Sequence, residues 1–212
     1  MPSSISIENL AAVIISLLLA MAVHEATHAF VAHRLGDTTA AEEGRLTLNP
    51  FKHVDLYTTI LLPIILLILG LPLILAAKPV PFDPTQVRHG EYGAALMAIA
   101  GPFSNLGLAA VTALILRSGA ITGGFLLELL GVFLMLNVAL FVFNMIPIPP
   151  LDGSRLLYAF APEPIQKIMY QIESMGFLFI LLILLLLLPI VGPILANINS
   201  SIIHFLVPNL QF

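Results

Sequence analysis

The segment His24-Glu25-Ala26-Thr27-His28 lies inside an apolar stretch, Ile7 to Leu35, that is long enough to cross a bilayer. Such a run is constrained to be helical, because hydrocarbon offers no partner to an open backbone N–H or C=O, and a crossing takes about 20 residues. On a helix, residues four apart point the same way within about 40°, so both imidazoles share one face with Glu25 beside them. A carboxylate at the centre of a membrane helix costs on the order of 2.5–3.5 kcal/mol on insertion scales, so ionisable groups there mark a functional interior. His-Glu-x-x-His is the spacing at which two imidazoles hold one Zn²⁺ while the glutamate sits beside the metal's open position. The competing interpretation is a purely structural His/Glu network.

Composition narrows the ligand choice. With 59% hydrophobic and 9% charged residues, the chain reads as an integral membrane protein, and 212 residues suit one membrane domain, 1–212, without a separate soluble module. Net charge is −4 and no basic patch is dense, which argues against nucleic acid as a partner. The chain has no Cys, which excludes disulfides, thiol catalysis and thiolate ligands, so a zinc ion must take His, Asp or Glu. Met1 to Leu10 has neither a basic n-region nor a small-residue cleavage site, and the first apolar run is expected to be a retained helix.

Five apolar stretches occur, at about 7–35, 56–77, 92–116, 121–146 and 175–196. Pro63, Gly70 and Pro72 interrupt the second, leaving Leu61–Leu69 as its unbroken block. If the other four cross and 56–77 dips in and returns, Arg34, Arg45, Lys52, Lys78, Arg88, Arg155 and Lys167 share one side and only Arg117 lies opposite. Were 56–77 a full crossing, the eight would divide evenly. The positive-inside rule therefore predicts a polytopic all-α bundle of four crossings plus a re-entrant hairpin, with the basic side cytoplasmic and both termini outside. Glu43 to Pro50 alternates polar and apolar residues, as a short interfacial strand would, although an ordinary connector fits equally. An edge at 44–49 could take an unwound substrate peptide by strand pairing. Small residues in the third stretch, Gly93, Ala94, Ala98, Gly101 and Gly107, predict close helix packing, and the Leu run 181–188 predicts a lipid-facing span.

A catalytic zinc takes three protein ligands and keeps one position for water. The third ligand should be an acidic or His residue that reaches the depth of His24 and His28 from another segment, and the standout candidate is Asp152 in Asn144-Met145-Ile146-Pro147-Ile148-Pro149-Pro150-Leu151-Asp152-Gly153. The prolines stop the fourth stretch near the face at which the His pair lies. His53 and Asp55 read as interfacial turn residues or as groups outside the ligand set, His33, His89 and His204 as interfacial, and Glu128 as a protonated or paired carboxyl facing the bundle interior.

At the His24–His28 and Asn144–Gly153 segments the chain resembles the site-2 protease family of intramembrane zinc metalloproteases, in its short prokaryotic form. Asn49 to Asp55 and Ala100-Gly101-Pro102-Phe103-Ser104-Asn105 are also similar to segments of that family, and the likeness covers about 20–160, leaving 175–212 unmatched. The resemblance implies that His24, His28 and Asp152 hold one Zn²⁺, that Glu25 is the general base, and that Asn144 is a polar helper near the scissile carbonyl. It implies an endopeptidase in a prokaryotic cell membrane, with its site toward the cytoplasm, cutting transmembrane segments of other proteins in the lipid bilayer. No oligomeric state follows. A zinc transporter or metal-sensing protein, or an inactive binding relative, is the alternative, and Glu25 between the two His discriminates against transport.

Overall fold

The computed structural model describes residues 6–68, 78, 80–83 and 85–208. Helix α1 (Ile7–Arg34) starts at Ser6, whose side chain accepts from Asn9 N at 3.0 Å. Its buried positions include Ala12, Ser16, Ala20, His24, His28 and Ala32, a ladder with a period of four. Small rungs on such a ladder let a neighbouring helix approach closely. The neighbour is α4 (Gly90–Arg117), which buries Ala94, Ala98, Gly101, Asn105, Ala109 and Leu116 at matching helical spacing. Gly93 is buried as well, whereas Gly107 faces outward with nothing near it, so that one glycine does not serve packing.

Helix α4 is the central element, packed on α1, on α5 (Gly124–Asn144) and on α6 (Asp152–Phe160). Ala109, Ala113 and Leu116 of α4 meet Leu134, Val138 and Val142 of α5 in the apolar core, which Val207 closes. Val207 follows α8 (Phe177–Leu206), a helix that leans on α5 and buries only 11% of its most apolar window. The Leu run within it is thus mostly on the outside, as its composition predicts. Between α6 and α8, the amphipathic α7 (Glu163–Ser174) is tied to α6 by Arg155 and Glu173, 2.5 Å apart.

Among the described residues, four helices, Ile7–Arg34, Gly90–Arg117, Gly124–Asn144 and Phe179–Leu206, are long and apolar enough to cross a membrane. They coincide with the four stretches expected to cross, and the protein is a multi-pass, all-α membrane protein. The interrupted second stretch behaves differently. After a single 3₁₀ turn at Pro50–Lys52 it continues as π-helical Leu56–Leu61 and α3 (Leu62–Ile68), while 69–77 lie outside the described residues. Asp55 caps this segment by accepting from Tyr57 N and Thr58 N, both at 2.9 Å, and the Thr58 amide above all holds its carboxyl below the usual range. Lys78 N donates to His53 O at 2.9 Å. The chain is therefore back at Lys78 beside the point it left at His53, whereas a full crossing would part the two by about 30 Å.

The strand expected around 44–49 is not formed, and the described residues contain no strand. The amides that a strand edge would present are used locally: Gly44 N donates to Ala41 O, Arg45 N to Ala40 O, Thr47 N to Arg45 O and Asn49 N to Thr47 Oγ1, at 2.8–3.2 Å. A second helix, α2 (Thr39–Glu42), lies just before and supplies two of those carbonyls. The alternation of polar and apolar residues records a connector folded onto α2, so edge pairing with a substrate loses its basis.

Candidate metal centre

His24, Glu25 and His28 lie on the buried face of α1, each less than a tenth exposed. Asp152 is the first residue of α6. Two glycines make their meeting possible. A Cβ on Gly153 would collide with the carbonyls of Met145 and Ile146, so only glycine lets the chain leaving α5 pack on the start of α6. A Cβ on Gly101 would overlap the imidazoles of both His28 and His24, so α4 can pass the pair only at a glycine.

The ring orientations are set from behind. His24 Nδ1 donates to Asn105 Oδ1 at 2.6 Å, and His28 Nδ1 donates to Met97 O at 2.8 Å. With Nδ1 protonated in a neutral imidazole, Nε2 carries the lone pair. The two Nε2 atoms stand 3.0 Å apart, and Asp152 Oδ2 is 3.2 Å from His24 Nε2 and 3.4 Å from His28 Nε2. Three acceptors converge, an arrangement that a cation relieves. Ligand atoms around a tetrahedral zinc at 2.0–2.1 Å stand about 3.3 Å from one another, so the set fits that ion. His24, His28 and Asp152 are also the one group among the described residues, of three or more such side chains, that could hold a metal.

The remaining candidates are not among these three converging groups. Asn144 is the last residue of α5, and its Nδ2 donates to Leu140 O at 3.0 Å. His53 is buried at the end of the 3₁₀ turn, with Nε2 donating to Thr47 O at 2.8 Å, a bond that ties the two ends of the 47–53 connector. His33, His89 and His204 are exposed. Glu128 is half-buried on α5, its Oε1 shielded and without a hydrogen-bond partner. Asn105 is the residue whose contact with the centre spacing did not show. An amide inside an apolar span is itself an unusual expense, and that was the available signal.

A multi-pass helical bundle in which two histidines and an aspartate could hold a metal is the arrangement of a membrane-embedded metallopeptidase. Residues 115–188 match Peptidase family M50. YwhC of Bacillus subtilis, named by assignment as a zinc metalloprotease, is 36% identical over 179 residues, which are 80% of this chain and 78% of that protein. Rip2 of Mycolicibacterium smegmatis and Rip2 of Mycobacterium tuberculosis, named in the same way, are each 29% identical over 182 residues, 82% of this chain and 66% of theirs. No solved structure matches. The chain belongs to Peptidase family M50, the site-2 proteases, and is a zinc metalloprotease.

Proposed function

We propose that this protein is an intramembrane endopeptidase that hydrolyses bonds in or near transmembrane segments of other membrane proteins, with His24, His28 and Asp152 holding Zn²⁺ and Glu25 as general base. The convergence of three lone-pair atoms within 3.4 Å of one another, from α1 and the start of α6, carries this reading. Bound there, Zn²⁺ supplies Lewis acidity, lowering the pKa of a water toward neutrality and drawing charge from the scissile carbonyl.

The chain's own groups do the rest. Glu25 is buried beside the ligands and its carboxylate has no hydrogen-bond partner among the described residues. It is free to accept a proton from the attacking water and return it to the leaving amine. Asn144 uses one N–H on Leu140 O, which leaves the second for the developing oxyanion.

Charge asymmetry supports placing the site on the cytoplasmic side, toward the end of α1 that carries Arg34, so the path for water is short. Beside the pair, Ala26, Thr27 and Phe30 of α1 and Leu46, Thr47 and Leu48 of the connector line a cavity of about 320 Å³. Its apolar lining suits an apolar side chain of an unwound membrane segment. Purified protein in detergent, given a helical membrane substrate, is expected to cut it, to stop with a chelator and to resume with added Zn²⁺. Zinc binding with no cleavage under any of these conditions would favour a transporter or an idle relative.

A further inference from the structure

His24 and His28 differ in what fixes their tautomer. His28 Nδ1 faces the Met97 carbonyl, which only accepts, so that nitrogen must carry the proton. His24 Nδ1 faces a side-chain amide, which could present either its oxygen or its NH₂. Turned the wrong way, the amide would donate to Nδ1, move the proton to Nε2 and remove the lone pair that a metal needs.

Asn105 is prevented from turning. Its Nδ2 donates to Asn137 Oδ1 at 2.9 Å and to Ala20 O at 3.3 Å, which uses both of its N–H groups. Asn137 is itself oriented, because its Nδ2 donates to the Phe133 carbonyl at 2.8 Å. Both asparagines are fully buried, so no water competes for these groups. Phe133 O dictates which end of Asn137 faces Asn105. Asn137 and Ala20 O then dictate that Asn105 offers its oxygen to His24. Every link runs donor to acceptor, and it joins three apolar helices, α1, α4 and α5, to one imidazole nitrogen.

We infer that Asn105, oriented by Asn137, is a positioning residue that locks His24 in the Nδ1–H tautomer and so presents its Nε2 lone pair to the metal. This rests on His24 being a zinc ligand. Outer partners of metal-binding histidines typically carry 10–100-fold in metal affinity.

The test uses the full chain in detergent, with Zn²⁺ affinity measured by competition against a chromophoric chelator. Asn105→Ala should weaken Zn²⁺ by about 10–100-fold, and Asn105→Asp, which keeps an acceptor for Nδ1–H but loses the N–H bonds to Asn137 and Ala20 O, should bind more tightly than Asn105→Ala. Asn137→Ala should weaken binding less, and the double Ala variant should be no worse than Asn105→Ala alone, since both act through one link. Proton spectra of the ¹⁵N-histidine-labelled, zinc-loaded protein add a readout that general destabilisation would not move: the His24 Nδ1–H signal should be hydrogen-bonded and slow to exchange in the wild type and lose both properties in Asn105→Ala. Wild-type Zn²⁺ affinity and an unchanged His24 Nδ1–H signal in Asn105→Ala overturn the inference. Should Asn105→Ala not fold, unchanged Zn²⁺ affinity in a folded Asn137→Ala overturns it equally. His24→Ala separates the two levels, because unchanged Zn²⁺ affinity in that variant removes the ligand reading itself.

Discussion

Asp152 Oδ2 stands 3.2 Å from His24 Nε2, although the two residues belong to α6 and α1, 128 positions apart in sequence, which both pack on α4. Ligand closure therefore reports tertiary structure. A three-ligand site that loses one carboxylate keeps only an i, i+4 histidine pair, which is a far weaker chelate. Asp152→Ala is expected to lower zinc content from about one ion per chain to near none and to abolish cleavage, while far-ultraviolet dichroism stays helical. Full zinc content in that variant would remove Asp152 from the ligand set.

Glu25→Gln keeps shape and removes the base. Because Glu25 is not needed to complete the ligand set, zinc content is expected to be unchanged while turnover falls by about 10²–10⁴, the range typical of a lost general base. Elemental analysis alongside a cleavage assay checks both halves. Retained turnover would refute the assignment.

Much of this was legible because it rested on rules with hard steric or electrostatic causes. The four crossings follow from length and apolarity, and the His pair follows from helix periodicity. Charge alone put Lys52 and Lys78 on the same side, and Lys78 N on His53 O agrees with it. Asp152 was legible because prolines stop α5 and the topology brings that end to the His pair. What failed was local. Polar–apolar alternation at 44–49 cannot distinguish an open strand edge from a connector whose amides are already spent on α2 and within the connector itself. Gly107 lies in the same small-residue stretch as Gly101, yet helical phase turns it outward, and composition does not resolve phase over so short a distance. Asn105 and Asn137 were invisible as a pair, because their relation is a contact between two spans with no spacing rule behind it.

Asn144→Ala should separate an oxyanion donor from a simple helix-end residue. If its free N–H stabilises the tetrahedral oxyanion, kcat is expected to fall by about 10²–10³ with KM and zinc content nearly constant. Unchanged kcat would leave Asn144 with only its bond to Leu140 O.

Gly101→Ala adds a single methyl group where it would overlap both imidazoles. Since α4 is also held by Asn105 and by its small-residue face, the histidines have to give way. Zinc affinity should drop by more than tenfold, and thermal stability should fall by about 1–3 kcal/mol, as for an overpacked core. Gly107→Ala is the matched control on the same helix, with nothing within 4 Å of its Cβ, and is expected to leave both quantities unchanged or slightly improved. Equal behaviour of the two variants would mean that the helix tolerates a side chain at the metal centre.

The proposed orientation is open to direct mapping, because the chain has no cysteine and any introduced thiol is unique. Phe51 and Gln86 are exposed on either side of the re-entrant segment, and Ser118 is exposed in the turn after α4. A returning hairpin puts Phe51 and Gln86 on one face of the membrane, and α4 carries the chain from there to Ser118 on the other. The positive-inside rule makes the first face cytoplasmic. Phe51→Cys and Gln86→Cys should therefore resist a membrane-impermeant thiol reagent in intact cells and react in inverted vesicles, with Ser118→Cys showing the reverse. Opposite labelling of Phe51→Cys and Gln86→Cys would mean that the segment crosses. Like labelling with all three faces exchanged would keep the hairpin and move the metal centre to the outer side, where the water path and the accessible end of the substrate would both be external.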